Sequence, residues 1–217
     1  TTVVTTPTND ATPDVVITTD EAGTIAVGGT SGCGLSSTAT MTSGQNTVTL
    51  TITDSTEGAY VCTITFTDTL NTVASALTLT SFTLDTSVAT PSETTAVTTP
   101  TKDTSPDVVI TTTQAGTIVV AGTTGCGIGS AAVVSGQQTL TLSTITQGDG
   151  AYVCTITFTD SAGNAASALT LTSFTLDTAV ATPSETTAVT TPTNDASPDV
   201  VITTDEAGTI VVGGTTG

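Results

Sequence analysis

The chain has no histidine, no arginine, no tryptophan and one lysine, Lys102. Each gap removes a class of chemistry. Without histidine, a serine or cysteine nucleophile lacks its commonest activating base. Without a basic surface, phosphates cannot be neutralised, which excludes nucleic acid as a partner. Anionic membranes are excluded as a docking surface for the same reason. Four Phe and two Tyr are the only aromatic residues. No run of 18 apolar residues exists, so nothing here reads as a membrane-spanning helix. No pair of acids is marked out as a converging hydrolytic dyad. The expectation is a non-enzymatic protein that needs no cofactor, with no membrane insertion in this segment.

What is present is repetition, which is best read before single residues. PDVVITT occurs at 13–19, 106–112 and 198–204. YVCTITFTD occurs at 60–68 and 152–160, and ALTLTSFTLDT at 76–86 and 168–178. VATPSETT occurs at 88–95 and 180–187. Pro7, Pro100 and Pro192 mark the same place in three successive units. The predicted division is 1–91 for the first unit, 92–183 for the second and 184–217 for the opening strands of a third. That third unit is too short to bury a core of its own. The expectation is that it is completed by further chain or by another chain.

Threonine makes up more than a quarter of the residues, with abundant Val, Ile and Leu. β-Branched side chains favour strands. Alternation with a period of two marks half-buried strands. Tyr60, Cys62, Ile64 and Phe66 share one face, as do Tyr152, Cys154, Ile156 and Phe158. Val48, Leu50 and Ile52 form another such face. Leu77 and Leu79 are followed out of step by Phe82 and Leu84, which predicts a bulge or bend at Ser81. The slip recurs at Ser173. Further strands are predicted over 14–20, over 23–29 and weakly over 36–42. Turns are predicted at Ala22-Gly23, Gly28-Gly29, Ser43-Gly44 and Glu57-Gly58. No segment has a helical period. Six or seven short strands per unit predict an all-β fold of tandem immunoglobulin-like antiparallel β-sandwich domains. An up-and-down barrel is the alternative.

Each complete unit holds two cysteines, Cys33 with Cys62 and Cys126 with Cys154. A zinc site would need all four, brought from two units, since there is no Cys-x-x-Cys pair. A buried reduced pair is a second alternative. The reading adopted is a disulfide within each unit, worth ~3–4 kcal/mol on the chain-entropy account. Disulfides imply an oxidising compartment, hence an extracellular or cell-surface location.

The formal charge is −18, with pI near 4.1. Such an acidic surface attracts divalent cations. Calcium takes carboxylate and carbonyl oxygens. Asp85, Asp103 and Asp107 lie around the first junction in sequence, and Asp177, Asp195 and Asp199 around the second. Asp68 with Asn71, or Asp160 with Asn164, are candidates to close in from a neighbouring turn. The alternative is that these residues only cap turns through their own backbone.

The run FTDSAGN at 158–164, SFTLDT at 173–178 and the opening TPTNDATPD at 6–14 followed by EAGTI resemble the bacterial Ig-like repeats of large extracellular adhesins and surface fibres. The resemblance covers both complete units. It implies stalks that project a distal domain, often stiffened by calcium at domain junctions. The expected function is a structural repeat of an extracellular filament or adhesin stalk, giving length, stiffness and protease resistance. Other copies of the chain are the expected partners, since Thr-lined outer faces with few charges suit lateral pairing. The alternative is a calcium-dependent adhesion module that binds a sugar or a protein.

Overall fold

A computed structural model describes residues 2–30, 32–36, 40–122, 125–142 and 148–214. No helix occurs among the described residues. The first unit contains β1 (Asp14–Thr19), β2 (Gly23–Gly29), β3 (Cys33–Leu35), β4 (Thr40–Met41), β5 (Gly44–Ile52), β6 (Gly58–Tyr60), β7 (Cys62–Asp68), β8 (Leu77–Thr78) and β9 (Phe82–Leu84). One sheet runs β1-β5-β3 and another β4-β2-β7-β8, with β6-β9 as a two-stranded extension. All pairings between these strands are antiparallel.

The inward faces follow the two-residue alternation. Val15 and Ile17 on β1 and Val48, Leu50 and Ile52 on β5 are buried. They share one apolar cluster with Ile25 of β2, Cys62 and Ile64 of β7, Tyr60 of β6, and Phe82 and Leu84 of β9. Two sheets that bury their inner faces in a single cluster have the layering of a β-sandwich.

The slip at Ser81 is a change of partner. β8 pairs with β7 and β9 with β6, and the break on the facing strand falls at Val61. There Val61 turns to Thr30, receiving an N–H bond on its carbonyl at 2.9 Å and donating its own N–H to the Thr30 hydroxyl at 3.0 Å. Tyr60 and Phe82 stack across the outer half of this ribbon, with ring centroids 5.8 Å apart.

Sequence reading differs from the fold in three places. Gly28 and Gly29 do not turn the chain; they continue β2, opposite Thr63 and Cys62. Leu77 is 45% exposed, so the Leu77–Leu79 face is only partly a core face. The weak strand at 36–42 is observed as β4 alone, and its middle, 37–39, lies outside the described residues.

The second unit repeats the plan. It contains β10 (Ser92–Thr95), β11 (Asp107–Thr112), β12 (Gly116–Gly122), β13 (Ile128–Val133), β14 (Gly136–Thr141), β15 (Gly150–Tyr152), β16 (Cys154–Asp160), β17 (Leu169–Thr170) and β18 (Phe174–Leu176). The sheets run β10-β11-β14, β13-β12-β16-β17 and β15-β18. Val108, Ile110, Ile118, Leu142, Tyr152, Ile156 and Phe158 form its core. The third opening holds β19 (Ser184–Thr187) and β20 (Val201–Thr203), which pair with each other. Val200, Val201, Ile202, Ile210, Val211 and Val212 stand exposed there.

Each complete unit is stapled once. Cys33–Cys62 and Cys126–Cys154 are disulfides with Cα atoms 5.7 and 5.6 Å apart. Cys33 lies in the sheet of β1 and β5, and Cys62 in the sheet of β2 and β7. The first bond therefore ties one layer of the sandwich to the other.

Candidate functional site

The residues that converge most densely outside the two cores do so where the first unit meets the second. The meeting begins with a turn. Asp160 ends β16, and its Oδ1 accepts the N–H groups of Ala162 and Asn164, each at 2.9 Å. Gly163, with φ of +95°, supplies the left-handed step that closes the loop. Asp160 Oδ2 then accepts a bond from Asn164 Nδ2 at 3.0 Å, which fixes the side-chain amide. That amide also donates to the Asp85 carbonyl at 2.7 Å and approaches the Ser87 carbonyl at 3.3 Å. Both carbonyls belong to the segment leaving the first unit.

The same segment is held from both sides. Glu57, ahead of β6, accepts the Thr86 N–H and hydroxyl on Oε1, both at 2.9 Å, and the Ser87 hydroxyl on Oε2 at 3.1 Å. The bonds from Thr86 hold the Glu57 carboxyl below the usual carboxylate range. Further on, the Ala89 N–H donates to Gln114 Oε1. Val88 and Ala89 pack against the core of the second unit, and Pro91 is fully buried. Glu93 Oε2 accepts the Thr172 N–H and hydroxyl, both at 2.8 Å. Asp85 through Glu93 is thus a folded joint with few loose backbone groups.

The second joint repeats half of this. Asp149 takes the place of Glu57 and accepts the Thr178 N–H at 2.8 Å, its hydroxyl at 2.7 Å and the Ala179 N–H at 3.0 Å. The Thr178 side chain is the main cause of a lowered carboxyl pKa at Asp149. Glu206 Oε2 accepts the Ala181 N–H at 2.9 Å, where the first joint uses Gln114.

The acids expected to gather at the junctions do not gather. Asp85 lies beside Asn164, at the Asp160 end of the second unit. Asp103 follows Thr101, which bridges Leu176, and β18 pairs with β15 at the opposite end of that unit. Asp103 caps its own turn through Ser105 N at 2.9 Å, and Asp107 accepts the Thr141 hydroxyl at 2.6 Å. Asp177 sits with Thr101 at the far end, its N–H on the Thr101 carbonyl. Asp195 caps Ser197 at 2.9 Å, and Asp199 is exposed. Among the described residues, no three His, Cys, Asp or Glu side chains are placed to hold a metal. The six Asp side chains are dispersed: those of Asp85, Asp103 and Asp195 accept N–H groups of their own turns, and that of Asp107 accepts a hydroxyl. Of the residues expected to close in from a turn, Asn164 does so, but it meets the Asp85 carbonyl and not its carboxylate. Asp68 builds the corresponding turn in the first unit, through Leu70 N at 2.8 Å and Thr72 N at 2.7 Å. Thr72 stands there at the place of Asn164.

Sequence alone does not single out Gln114, Glu57 and Glu93 as joint residues. For Glu93 the signal is the identical VATPSETT segment at 88–95 and 180–187. A verbatim repeat of a linker is a reason to expect that it is bound.

No protein-family model and no curated protein sequence matches the chain. A solved structure described as "Biofilm associated protein - BSP domain" is similar over 77% of this chain and 27% of its own length, at 18% identity and a TM-score of 0.29. The chain thus spans about a quarter of the length of that protein.

Proposed function

We propose that this chain is a structural segment of an extracellular filament or adhesin stalk, built of tandem immunoglobulin-like units that supply length and stiffness. The observation that carries the reading is the joint. A flexible tether would leave its backbone to water, whereas Asp85–Glu93 is bonded by Glu57 from one unit and by Asn164, Gln114 and Thr172 from the next. Near-verbatim units suit a role in which length matters more than distinct sites. One disulfide per unit stabilises each module locally and suits an oxidising compartment. A single basic residue in 217 gives trypsin-like proteases one cleavage position.

In the joint, the Asp85 and Ser87 carbonyls, both Glu57 oxygens and Glu93 Oε2 accept N–H or hydroxyl donors, while Glu93 Oε1 is buried without a partner. The adhesion-module alternative requires a surface cluster of acids or aromatics, and both tyrosines are buried. The deciding experiment images single oxidised molecules by electron microscopy and measures the angle between the first two units. A narrow angular distribution that broadens in the Asn164→Ala, Gln114→Ala double variant is expected. A broad distribution in the wild-type chain sinks the stiff-stalk reading.

A further inference from the structure

Both complete units carry the same turn, after β7 in the first and after β16 in the second. Asp68 closes the first turn through the N–H groups of Leu70 and Thr72, at 2.8 and 2.7 Å. Asp160 closes the second through those of Ala162 and Asn164, each at 2.9 Å. The step between is left-handed in both, taken by Asn71 at φ of +66° and by Gly163 at φ of +95°. Asn is among the few residues other than Gly that take this step readily. As turns, Asp-Thr-Leu-Asn-Thr and Asp-Ser-Ala-Gly-Asn are equivalent. As partners for the preceding unit they are not.

The first unit meets the second turn with three groups. The Asp85 and Ser87 carbonyls accept the Asn164 amide at 2.7 and 3.3 Å. The third group is Asn9, from the opening of the first unit. A Cβ added to Gly163 would stand 3.6 Å from Asn9 Nδ2 and 4.0 Å from its Cγ and Oδ1. That is contact distance for a single carbon. In the first turn Asn71 stands at the place of Gly163, with a carboxamide beyond its Cβ, and Thr72 has a hydroxyl where Asn164 has an amide. The opening differs between units as well. The first has Asn9 and Glu21, the second has Lys102 and Gln114, and the third returns to Asn194 and Glu206.

We propose that Asn9 and the Asp85 and Ser87 carbonyls form a surface that selects the kind of unit able to follow the first. The unit it accepts has glycine and then asparagine in its turn, as at 163 and 164. The selection has an attractive and a repulsive part. The two carbonyls take up the amide at 164, and Asn9 obstructs a side chain at 163 that reaches past Cβ. The first unit's own turn fails on both counts, so a copy of the first unit does not form this joint behind it. The near-verbatim units are therefore of two kinds, and contact sets which succeeds which. The inference rests on the stiff joint of the stalk reading and adds that neighbouring units are matched.

Residual dipolar couplings from the two complete units of the oxidised 217-residue chain test it. The wild type is expected to fit one alignment tensor. Gly163→Asn copies Asn71, so the second unit is expected to stay folded while the common tensor is lost. Asn9→Ala added to that variant removes the obstruction and is expected to restore the common tensor. Backbone strain at 163 would not be relieved in this way, so the rescue separates the two causes. A common tensor retained in Gly163→Asn overturns the proposal and leaves the stiff stalk standing. A double variant that still needs two tensors does the same. Two tensors in the wild type overturn the stalk reading and this proposal together.

Discussion

Gly116 opens β12 against β16 so closely that an added Cβ would lie 2.2 Å from the Thr159 carbonyl and 2.7 Å from the Phe158 ring. Gly23 stands in the same relation to Thr67 and Phe66. Both elements facing the glycine are fixed, one as backbone and the other, at Phe158, as a fully buried ring. Gly116→Ala is therefore expected to cost about 1–3 kcal/mol, measured by urea unfolding. Replacing Cys126 and Cys154 together by Ser is expected to cost ~3–4 kcal/mol by the same measurement. Glu57 provides a pH test. Its carboxyl is held low by Thr86, so its folded pKa lies below its unfolded one. The bonds to Thr86 and Ser87 then contribute fully above the unfolded pKa and are lost as pH falls through the folded value. The Thr86 amide resonance is expected to titrate only below the ordinary Glu range, and Glu57→Gln to abolish that step.

At the scale of elements, the joint depends on one turn. The Asp160–Asn164 loop has the same backbone plan as Asp68–Thr72, with Asp accepting two N–H groups in each. Only the second presents an amide to the preceding unit. Asn164→Thr, which copies the first unit, is expected to keep the turn and the melting temperature and to loosen the joint. Residual dipolar couplings from the two units would then no longer fit a single alignment tensor. This distinction was half-legible in the sequence. Asp-Ser-Ala-Gly-Asn announces a turn, because Asp and Asn cap and Gly takes the left-handed step. Nothing in that run says that the last amide faces another unit, since its acceptors lie 77 and 79 residues earlier. The same limit hid β10. Pro-Ser-Glu-Thr-Thr has the composition of a linker, and its strand character comes from the edge of β11 that receives it.

For the molecule as a whole, the joints decide whether two sandwiches behave as one rod. Their donors and acceptors are protein groups, so chelation is expected to leave both the melting temperature and the inter-unit alignment unchanged. Differential scanning calorimetry with and without EDTA checks this, and a fall in melting temperature on chelation would return calcium to the account. The junction acids are close to one another in sequence only. Asp85 and Asp103 are 18 positions apart, yet they lie toward opposite ends of the second unit, because the chain between them runs along its length. Thr101 reaches Leu176 at the far end before Asp103 is met.

The sequence by itself determined the all-β class, the repeat, the inward faces of the main strands and the pairing of cysteines within a unit. These follow from local periodicity and from spacing, which survive any arrangement of the strands. Only the tertiary structure decided which strand edge is covered, which turn meets which linker and which carboxylates stay apart. Those outcomes depend on where distant backbone groups arrive in space, and hydrogen bonding between them is satisfied one partner at a time.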